Sequence, residues 1–159
     1  MMYRNETQRN TTMTDFIFND GGRKAAGFNS KKAGDCVCRA ICIAADLPYA
    51  DVHKAISDGN YSQRKSKRCK NMSNKGADSG VYTNRKWFKD YMVSLGFRWV
   101  PTMGVGTGCK VHMRADELPK GKIICRLTRH YSAMIDGVIN DTHNPSRNGT
   151  RCVYGYWVK

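Results

Sequence analysis

Cys36 is the residue most readily assigned a chemical role, because it directly precedes a helical pattern. The segment from Gly34 to Ala45 reads GDCVCRAICIAA. At about 100° per residue, one arc of this helix carries apolar residues that can be buried: Val37, Ala40, Ile41, Ala44 and Ala45. Asp35 is a good N-cap residue, which places Cys36 in the first turn. Unpaired N–H groups and the positive end of the helix dipole favour a thiolate there, so Cys36 is a candidate nucleophile.

The remaining residues of this helix point in different directions. Arg39 and Ile43 fall outside the apolar arc, and Cys38 lies about 160° around the helix from Cys36. The three cysteines of the segment therefore do not share one site. Free cysteines are often inert core residues, and we interpret three of them in this way: Cys38, Cys42 and Cys125.

A nucleophilic thiolate needs a base that keeps it ionised and later protonates the leaving group. The chain offers four histidines as candidates: His53, His112, His130 and His143. Residues 130–142 read as a β-hairpin, since Asp136-Gly137 between two apolar runs indicates a two-residue type I′ turn. This turn predicts that His130 pairs with His143 across the strands. It also makes His130 and Asp141 diagonal neighbours on one face, where a carboxylate can orient an imidazole.

A Gly-Asp-Cys36 helix start, a late His130 opening a strand and Asp141 on the next strand resemble the papain-like cysteine peptidase superfamily. The resemblance covers residues from about 28 to 159 and is nearest to compact members, such as bacteriocin-processing peptidases and small uncharacterised phage proteins. It implies Cys36 as nucleophile, His130 as base and Asp141 as the orienting residue.

The same resemblance implies an oxyanion donor about six residues before the cysteine. Asn29 stands seven before and Ser30 six before, and we take Asn29 because its amide N–H can donate to an oxyanion. We keep His143 as a second candidate base and Asp35 as a second candidate acid.

The order of elements predicts an α+β fold of the papain-like type. Residues 1–13 read as a flexible N-terminal arm, and 14–159 as one domain with a strand near 14–18. We expect helices from Cys36, from Leu47 to about Ser57, and from the cap Thr83 to Gly96. A C-terminal antiparallel sheet follows, with strands at 97–100, 122–127, 130–142 and 153–158. The helices, with the nucleophile at a helix start, pack on this sheet.

The chain is strongly basic, with a formal net charge of +14. A loop predicted at 58–79 contains a run of basic residues, and five of them could contact nucleic acid or an acidic partner: Arg64, Lys65, Lys67, Arg68 and Lys70. The alternative is an insertion that its charge keeps soluble. Few aromatic residues stand among these cations, which does not favour base stacking on single strands.

Other classes of site fit the sequence poorly. Seven cysteines at irregular spacings, without an apolar leader, favour a reduced, cytoplasmic protein, in a host cytoplasm or a virion if a phage encodes it. A structural zinc site would need Cys36 and Cys38 together with some of Cys69, Cys109, Cys125, Cys152 or His143. The spacing of these residues along the chain is not that of a zinc finger. Gly104 to Lys110 fails both the Walker and the Rossmann spacing, so we interpret it as a flexible loop that lines a substrate cleft. We expect no metal, no cofactor and no membrane segment.

The sequence therefore predicts a cysteine-dependent hydrolase or acyltransferase, acting on a peptide, amide or isopeptide bond of a protein or peptide substrate. Nothing in the residues separates peptidase, amidase, deamidase and transfer activity. The alternative is an inert shell of the same fold that acts as a basic nucleic-acid-binding or virion-associated protein.

Overall fold

The computed structural model of the chain describes residues 14–29, 34–65, 67 and 75–159. Within these ranges lie three helices: α1 (Cys36–Ala45), α2 (Tyr49–Ser62) and α3 (Lys86–Ser94). The strands are β1 (Phe16–Phe18), β2 (Arg98–Pro101), β3 (Val111–His112), β4 (Lys122–Leu127), β5 (His130–Ile135), β6 (Val138–Asp141), β7 (Cys152–Val153) and β8 (Gly155–Val158). The predicted arm at 1–13 lies outside the described residues.

Six strands form one mixed sheet in the order β1-β6-β5-β4-β8-β2. The α+β class is confirmed, and the C-terminal strands pair antiparallel as expected. The whole sheet is nevertheless mixed, because the N-terminal β1 pairs with β6 in parallel. Parallel neighbours need a long crossover, and here the chain between β1 and β6 contains all three described helices. This non-local pairing leaves no signal in the short sequence of β1. Strands β3 and β7 pair separately.

The two faces of the sheet are buried differently. On one face the helices pack against alternate residues of the central strands, including Ile124, Tyr131, Ala133 and Trp157. On the other face Met113, Leu118 and Val153 cover the intervening positions, such as Ile123 and Met134. Alternation along β4 and β5 therefore divides the apolar residues between two cores.

Helix α1 is buried on nearly all sides, which corrects the expectation of a single apolar arc. Arg39 is 5% exposed and Ile43 is 9% exposed. The helix lies between the sheet and α2, so positions outside the arc are also covered. Arg39 tolerates this burial because two carboxylates pair with its guanidinium group.

The ends of the other two helices differ from the predicted ones. Helix α2 continues to Ser62, five residues into the predicted loop, where Asn60 is fully buried and donates to the Gly80 carbonyl at 3.0 Å. Helix α3 begins at Lys86 after Arg85, without a side-chain cap, so Thr83 is not its N-cap. A tertiary contact of Asn60 thus accompanies the extension of α2 beyond its predicted end.

Cys109 and Cys152 form a disulfide, with Cα atoms 5.8 Å apart. Their pairing differs from the expectation that the cysteines are reduced. Strand pairing brings them together, since His112 lies opposite Cys152 across β3 and β7, and irregular spacing along the chain could not reveal this. No helix within the described ranges has both the length and the apolar character needed to cross a membrane.

Gly34 fixes the approach of the chain to Cys36. It forms a parallel bridge with Ser79, and a Cβ atom at residue 34 would lie 2.3 Å from the carbonyl oxygen of Asp78. Only glycine allows this backbone contact, because real Cβ atoms do not come so close to backbone oxygen. The bridge therefore holds the segment two residues before the candidate nucleophile.

Replacing Gly34 with alanine should separate residue 34 from the 78–79 segment and shift Cys36. We expect a loss of about 1–3 kcal/mol in the free energy of unfolding, as for other overpacked sites, together with slower alkylation of Cys36. Gly104→Ala is the control, because its nearest atom would lie at an ordinary 3.5 Å. Equal unfolding midpoints and equal alkylation rates in the two variants would show that the close contact does not position Cys36.

Candidate active site

Three elements bring the predicted catalytic residues together. Cys36 is the first residue of α1, His130 is the first residue of β5, and Asp141 is the last residue of β6. The predicted hairpin register is confirmed, since Ile135 pairs with Val138 and Ala133 with Asn140. Both turn residues have positive φ, 49° at Asp136 and 81° at Gly137, as a type I′ turn requires.

His130 connects the thiol and the carboxylate. Its Nε2 atom lies 2.7 Å from Oδ2 of Asp141, and the imidazole lies close enough to the Cys36 thiol for each group to shift the pKa of the other. Because Nε2 is engaged by Asp141, Nδ1 is the nitrogen left for the thiol. The side chain of His130 is 11% exposed and that of Asp141 5% exposed, so water has little access to this pair.

Asp141 is held by donors on both carboxylate oxygens. The Ser132 hydroxyl donates to Oδ2 at 2.7 Å, and the Thr142 backbone N–H donates to Oδ1 at 2.7 Å. Arg39 Nη1 lies 3.4 Å from Oδ1. The backbone is anchored too, because the Asn19 N–H donates to the Asp141 carbonyl at 2.8 Å. These contacts fix the carboxylate that faces His130.

The pKa values of the three groups favour charge separation. Burial raises the pKa of the Cys36 thiol, but the hydrogen bond and charge of His130 outweigh it, with help from the Tyr131 N–H and the Arg39 charge, and the net pKa is lowered. Burial lowers the pKa of His130, yet its bonds to Asp141 and Cys36 raise it to about 9. Burial raises the pKa of Asp141, whereas His130 and Ser132 lower it further than burial raises it. Both shifts favour a thiolate beside an imidazolium over the neutral pair.

Arg39 is the positioning residue that the sequence analysis missed. Its Nε atom lies 3.1 Å from Oδ1 of Asp35, and its Nη1 atom reaches Asp141. Asp35 is completely buried and accepts a hydrogen bond from the Tyr49 hydroxyl at 2.7 Å, while Arg23 lies 3.3 Å from it. Asp35 precedes α1 as expected, but its side chain does not cap the helix. The spacing of four between Asp35 and Arg39 is the sequence signal that was available.

Cys36 and His130 open into a cleft of about 880 Å³. Its walls come from the start of α1 and the segments around 80–83, 99–105 and 126–131, with Tyr154. Gly104 and Val105 belong to it, so the glycine-rich loop does line the cleft. A ligand of several residues can therefore reach the thiol.

Several other predicted residues lie elsewhere. Asn29 is exposed and does not line the cleft, so the described structure does not bring the predicted oxyanion donor to Cys36. His143 is exposed, with its ring centroid 5.0 Å from that of His130. Ser30, the other oxyanion position, lies outside the described residues.

The structure describes three of the five basic residues predicted to contact a partner. Arg64, Lys65 and Lys67 are exposed just after α2, whereas Arg68 and Lys70 lie outside the described residues.

Three cysteines are buried, as expected for core residues: Cys38, Cys42 and Cys125. Cys42 and burial raise the pKa of Cys38, and burial raises the pKa of Cys125 to about 12, so both remain thiols.

One group of side chains has the donor set for a metal ion. Ligand atoms of His130, Asp141 and His143 all lie within 4.8 Å of one another. Imidazole and carboxylate would suit zinc or a similar ion. However, Nε2 of His130 already bonds to Asp141 at 2.7 Å, and a metal would have to replace that bond. The described contacts thus use His130 and Asp141 for hydrogen bonding.

The rate of Cys36 alkylation by iodoacetamide should depend on pH through the ion pair. The lowered pKa of Cys36 predicts a rise in rate with a midpoint below that of a free thiol, because only the thiolate reacts. In His130→Ala the stabilising charge is lost while burial remains, so the midpoint should move upward. Peptide mass spectrometry measures the rate at each pH.

His143→Ala serves as the matched control for that measurement. Its imidazole touches His130 from the exposed side, so its removal should leave the midpoint nearly unchanged. If His143→Ala moves the midpoint and His130→Ala does not, His143 rather than His130 is the partner of the thiolate.

Arg39→Leu should weaken both the fold and the site. It leaves Asp35 and Asp141 buried without their shared cation, and breaking a buried pair costs about 3–5 kcal/mol. Urea unfolding measures that loss, and iodoacetamide labelling reports on Cys36. Lys86→Leu is the control, since its ion pair with Asp90 is exposed and its loss should barely move the midpoint. Equal midpoints in the two variants would contradict the role of Arg39.

Similarity to known proteins adds no constraint on this site: no protein-family model, no curated protein and no solved structure matches the chain. The papain-like resemblance therefore stays a prediction, and the function has to be argued from the geometry. That geometry consists of a half-buried thiol at a helix start, an imidazole whose charge lowers the pKa of that thiol, and a buried carboxylate behind the imidazole.

Proposed function

We propose that the chain is a cysteine-dependent hydrolase or acyltransferase of papain-like type, which acts on a peptide, amide or isopeptide bond. The observation that carries the proposal is the meeting of Cys36 and His130 at the wall of a large cleft, with Asp141 hydrogen-bonded to His130 from behind. An inert cysteine would not need a buried imidazole whose pKa is about 9. Perturbed titratable groups that meet in a cleft are typical of catalytic sites.

In the proposed reaction the Cys36 thiolate attacks the carbonyl carbon of the scissile bond. A bond forms between sulfur and carbon, and the carbonyl π electrons move to oxygen, which becomes an oxyanion. The backbone N–H of Cys36 lies in the first turn of α1, where N–H groups have no partner within the helix. It can donate to the oxyanion, and the positive end of the helix stabilises the charge.

His130 then supplies the proton that collapse of the intermediate requires. The carbonyl double bond re-forms, the carbon–nitrogen bond breaks, and the imidazolium protonates the departing amine. Asp141 stabilises the cation before this step and keeps Nδ1 directed at the thiol through its bond to Nε2. The product is a thioester on Cys36, with a neutral His130.

Neutral His130 next acts as a base towards the second substrate. It takes a proton from water, the oxygen attacks the thioester, and the thiolate leaves as the imidazolium forms again. Water gives hydrolysis, whereas an amine in its place gives transfer. Peptidase, amidase, deamidase and transfer activity share these steps, so the reaction products have to distinguish them.

A second candidate is binding to nucleic acid by an inert protein of the same fold. It is favoured by the net charge of +14 and by the exposed side chains of Arg64, Lys65 and Lys67 after α2. Phosphate contacts of this kind make affinity fall steeply with salt. Binding would not need the thiol of Cys36, so the two candidates separate at that residue.

Incubation with a tryptic digest of a whole-cell extract tests the catalytic proposal without a known substrate. Mass spectrometry detects new peptide ends, conversion of amides to acids, and amine adducts. We expect such products with the native protein and none with Cys36→Ala or His130→Ala, while His143→Ala retains them. Cys36→Ala removes no ion-pair partner of Asp141 and should unfold at nearly the native midpoint, which separates lost chemistry from lost structure.

Two results would argue against catalysis. If the native protein and Cys36→Ala gave the same amount of product, a contaminating enzyme would have made it. No Cys36-dependent product, together with slow iodoacetamide labelling of Cys36, would remove the thiolate on which the mechanism depends and favour the binding candidate.

A further inference from the structure

The cleft beside Cys36 is cationic. Arg126 and Arg129 line it together with His130, and no described lining residue is Asp or Glu. Among the described residues, neither arginine forms an ion pair with a carboxylate; Arg126 Nη1 lies 3.4 Å from the neutral Asn84 Oδ1. Cations without a counter-charge attract anions, most strongly where low-dielectric walls limit screening.

A smaller pocket of about 160 Å³ adjoins this cleft. The two share four lining residues: Thr83, Trp99, Arg126 and Tyr131. Tyr131 lines the larger cleft together with Cys36 and His130, so the pocket adjoins the cleft that holds the reacting groups. At about 30 Å³ for each water, its volume equals roughly five water molecules, which is enough for one short side chain.

The pocket combines donors with aromatic walls. Beyond the shared residues it is lined by Asn84, Lys89 and Trp157. Lys89 is exposed and forms no ion pair within the part of the chain that the structure describes. Nε1 of Trp157 is buried, faces the Tyr131 hydroxyl and lacks a properly aligned acceptor. Two cations and several N–H and O–H donors therefore surround a space walled by rings.

We propose that this pocket binds an acidic side chain of the substrate, so that the enzyme prefers peptides with Glu or Asp close to the scissile bond. This inference rests on the proposed function. The carboxylate would accept charge-assisted hydrogen bonds from Arg126 and Lys89. The aliphatic carbons of the side chain would pack on Trp99 and Tyr131, which explains why cations and rings share one pocket.

Peptidyl vinyl sulfones test the preference, because their electrophile captures Cys36 without a turnover assay. The probes are three pairs of N-acetyl tripeptide vinyl sulfones built on alanine, with Glu or Gln at the first, second or third position before the electrophile. Intact-mass spectrometry gives the labelling rate. At one position the Glu probe should react about tenfold faster than the Gln probe, the effect of one charge-assisted hydrogen bond.

Variants assign the preference to the pocket. Arg126→Gln should bring the Glu-to-Gln rate ratio to about one, and Lys89→Gln should lower it by a few fold. Arg98→Gln makes the same change of charge on an exposed residue outside the cleft and the pocket, and should leave the ratio unchanged. Lys89 lies on the surface of α3, so its variant remains informative if Arg126→Gln fails to fold.

Iodoacetamide labelling of the same samples separates the two possible failures. Fast iodoacetamide labelling with equal Glu and Gln rates at every position overturns the acidic preference alone. A preference that persists in both Arg126→Gln and Lys89→Gln overturns its assignment to this pocket. Slow iodoacetamide labelling of the native Cys36 overturns the proposed function, and the inference with it.

Discussion

The ion pairs of Arg39 tie the start of α1 to the end of β6. One guanidinium group contacts Asp35, immediately before the candidate nucleophile, and Asp141, behind the candidate base. All three side chains are at most 6% exposed, so each charge depends on the others to remain in the interior. Cys36 and His130 come from distant parts of the chain, and this contact fixes the distance between them.

The charges of the site follow from that arrangement. Buried acidic and cationic side chains alternate: Asp35 contacts Arg39, Arg39 contacts Asp141, and Asp141 contacts His130. The thiol of Cys36 lies at the end of this series. A buried imidazole would ordinarily lose its proton, but a carboxylate on one side and a thiolate on the other raise the pKa of His130 to about 9. The energetic cost of burying the imidazolium is thus offset by fixed neighbours, and the imidazolium in turn lowers the pKa of the Cys36 thiol.

Local signals predicted much of the site. Asp136-Gly137 set the hairpin register through its turn chemistry alone, and that register placed His130 beside Asp141. The helix start at Cys36 followed from apolar periodicity. Both features depend on residues close together in sequence, where backbone preferences act without help from the rest of the fold.

Features that depend on distant contacts could not be predicted. The burial of Arg39 depends on Asp141, which lies 102 residues away, and the parallel pairing of β1 depends on a crossover that periodicity does not encode. The pairing of Cys109 with Cys152 depends on β3 and β7, and the smaller pocket beside the cleft depends on α3, β4 and β8, which contribute to its lining. The predicted oxyanion donor Asn29 came from resemblance alone, and the described structure leaves it exposed.

The protonation state of the His130 imidazole tests the central claim most directly. Nitrogen-15 NMR of labelled histidine distinguishes imidazolium from neutral imidazole across a pH titration, with assignment by His130→Ala. An ion pair with Cys36 predicts that His130 is charged at pH 7, titrates near 9 and titrates at lower pH in Cys36→Ala. A neutral His130 at pH 7, or a titration that is unchanged in Cys36→Ala, would contradict the account.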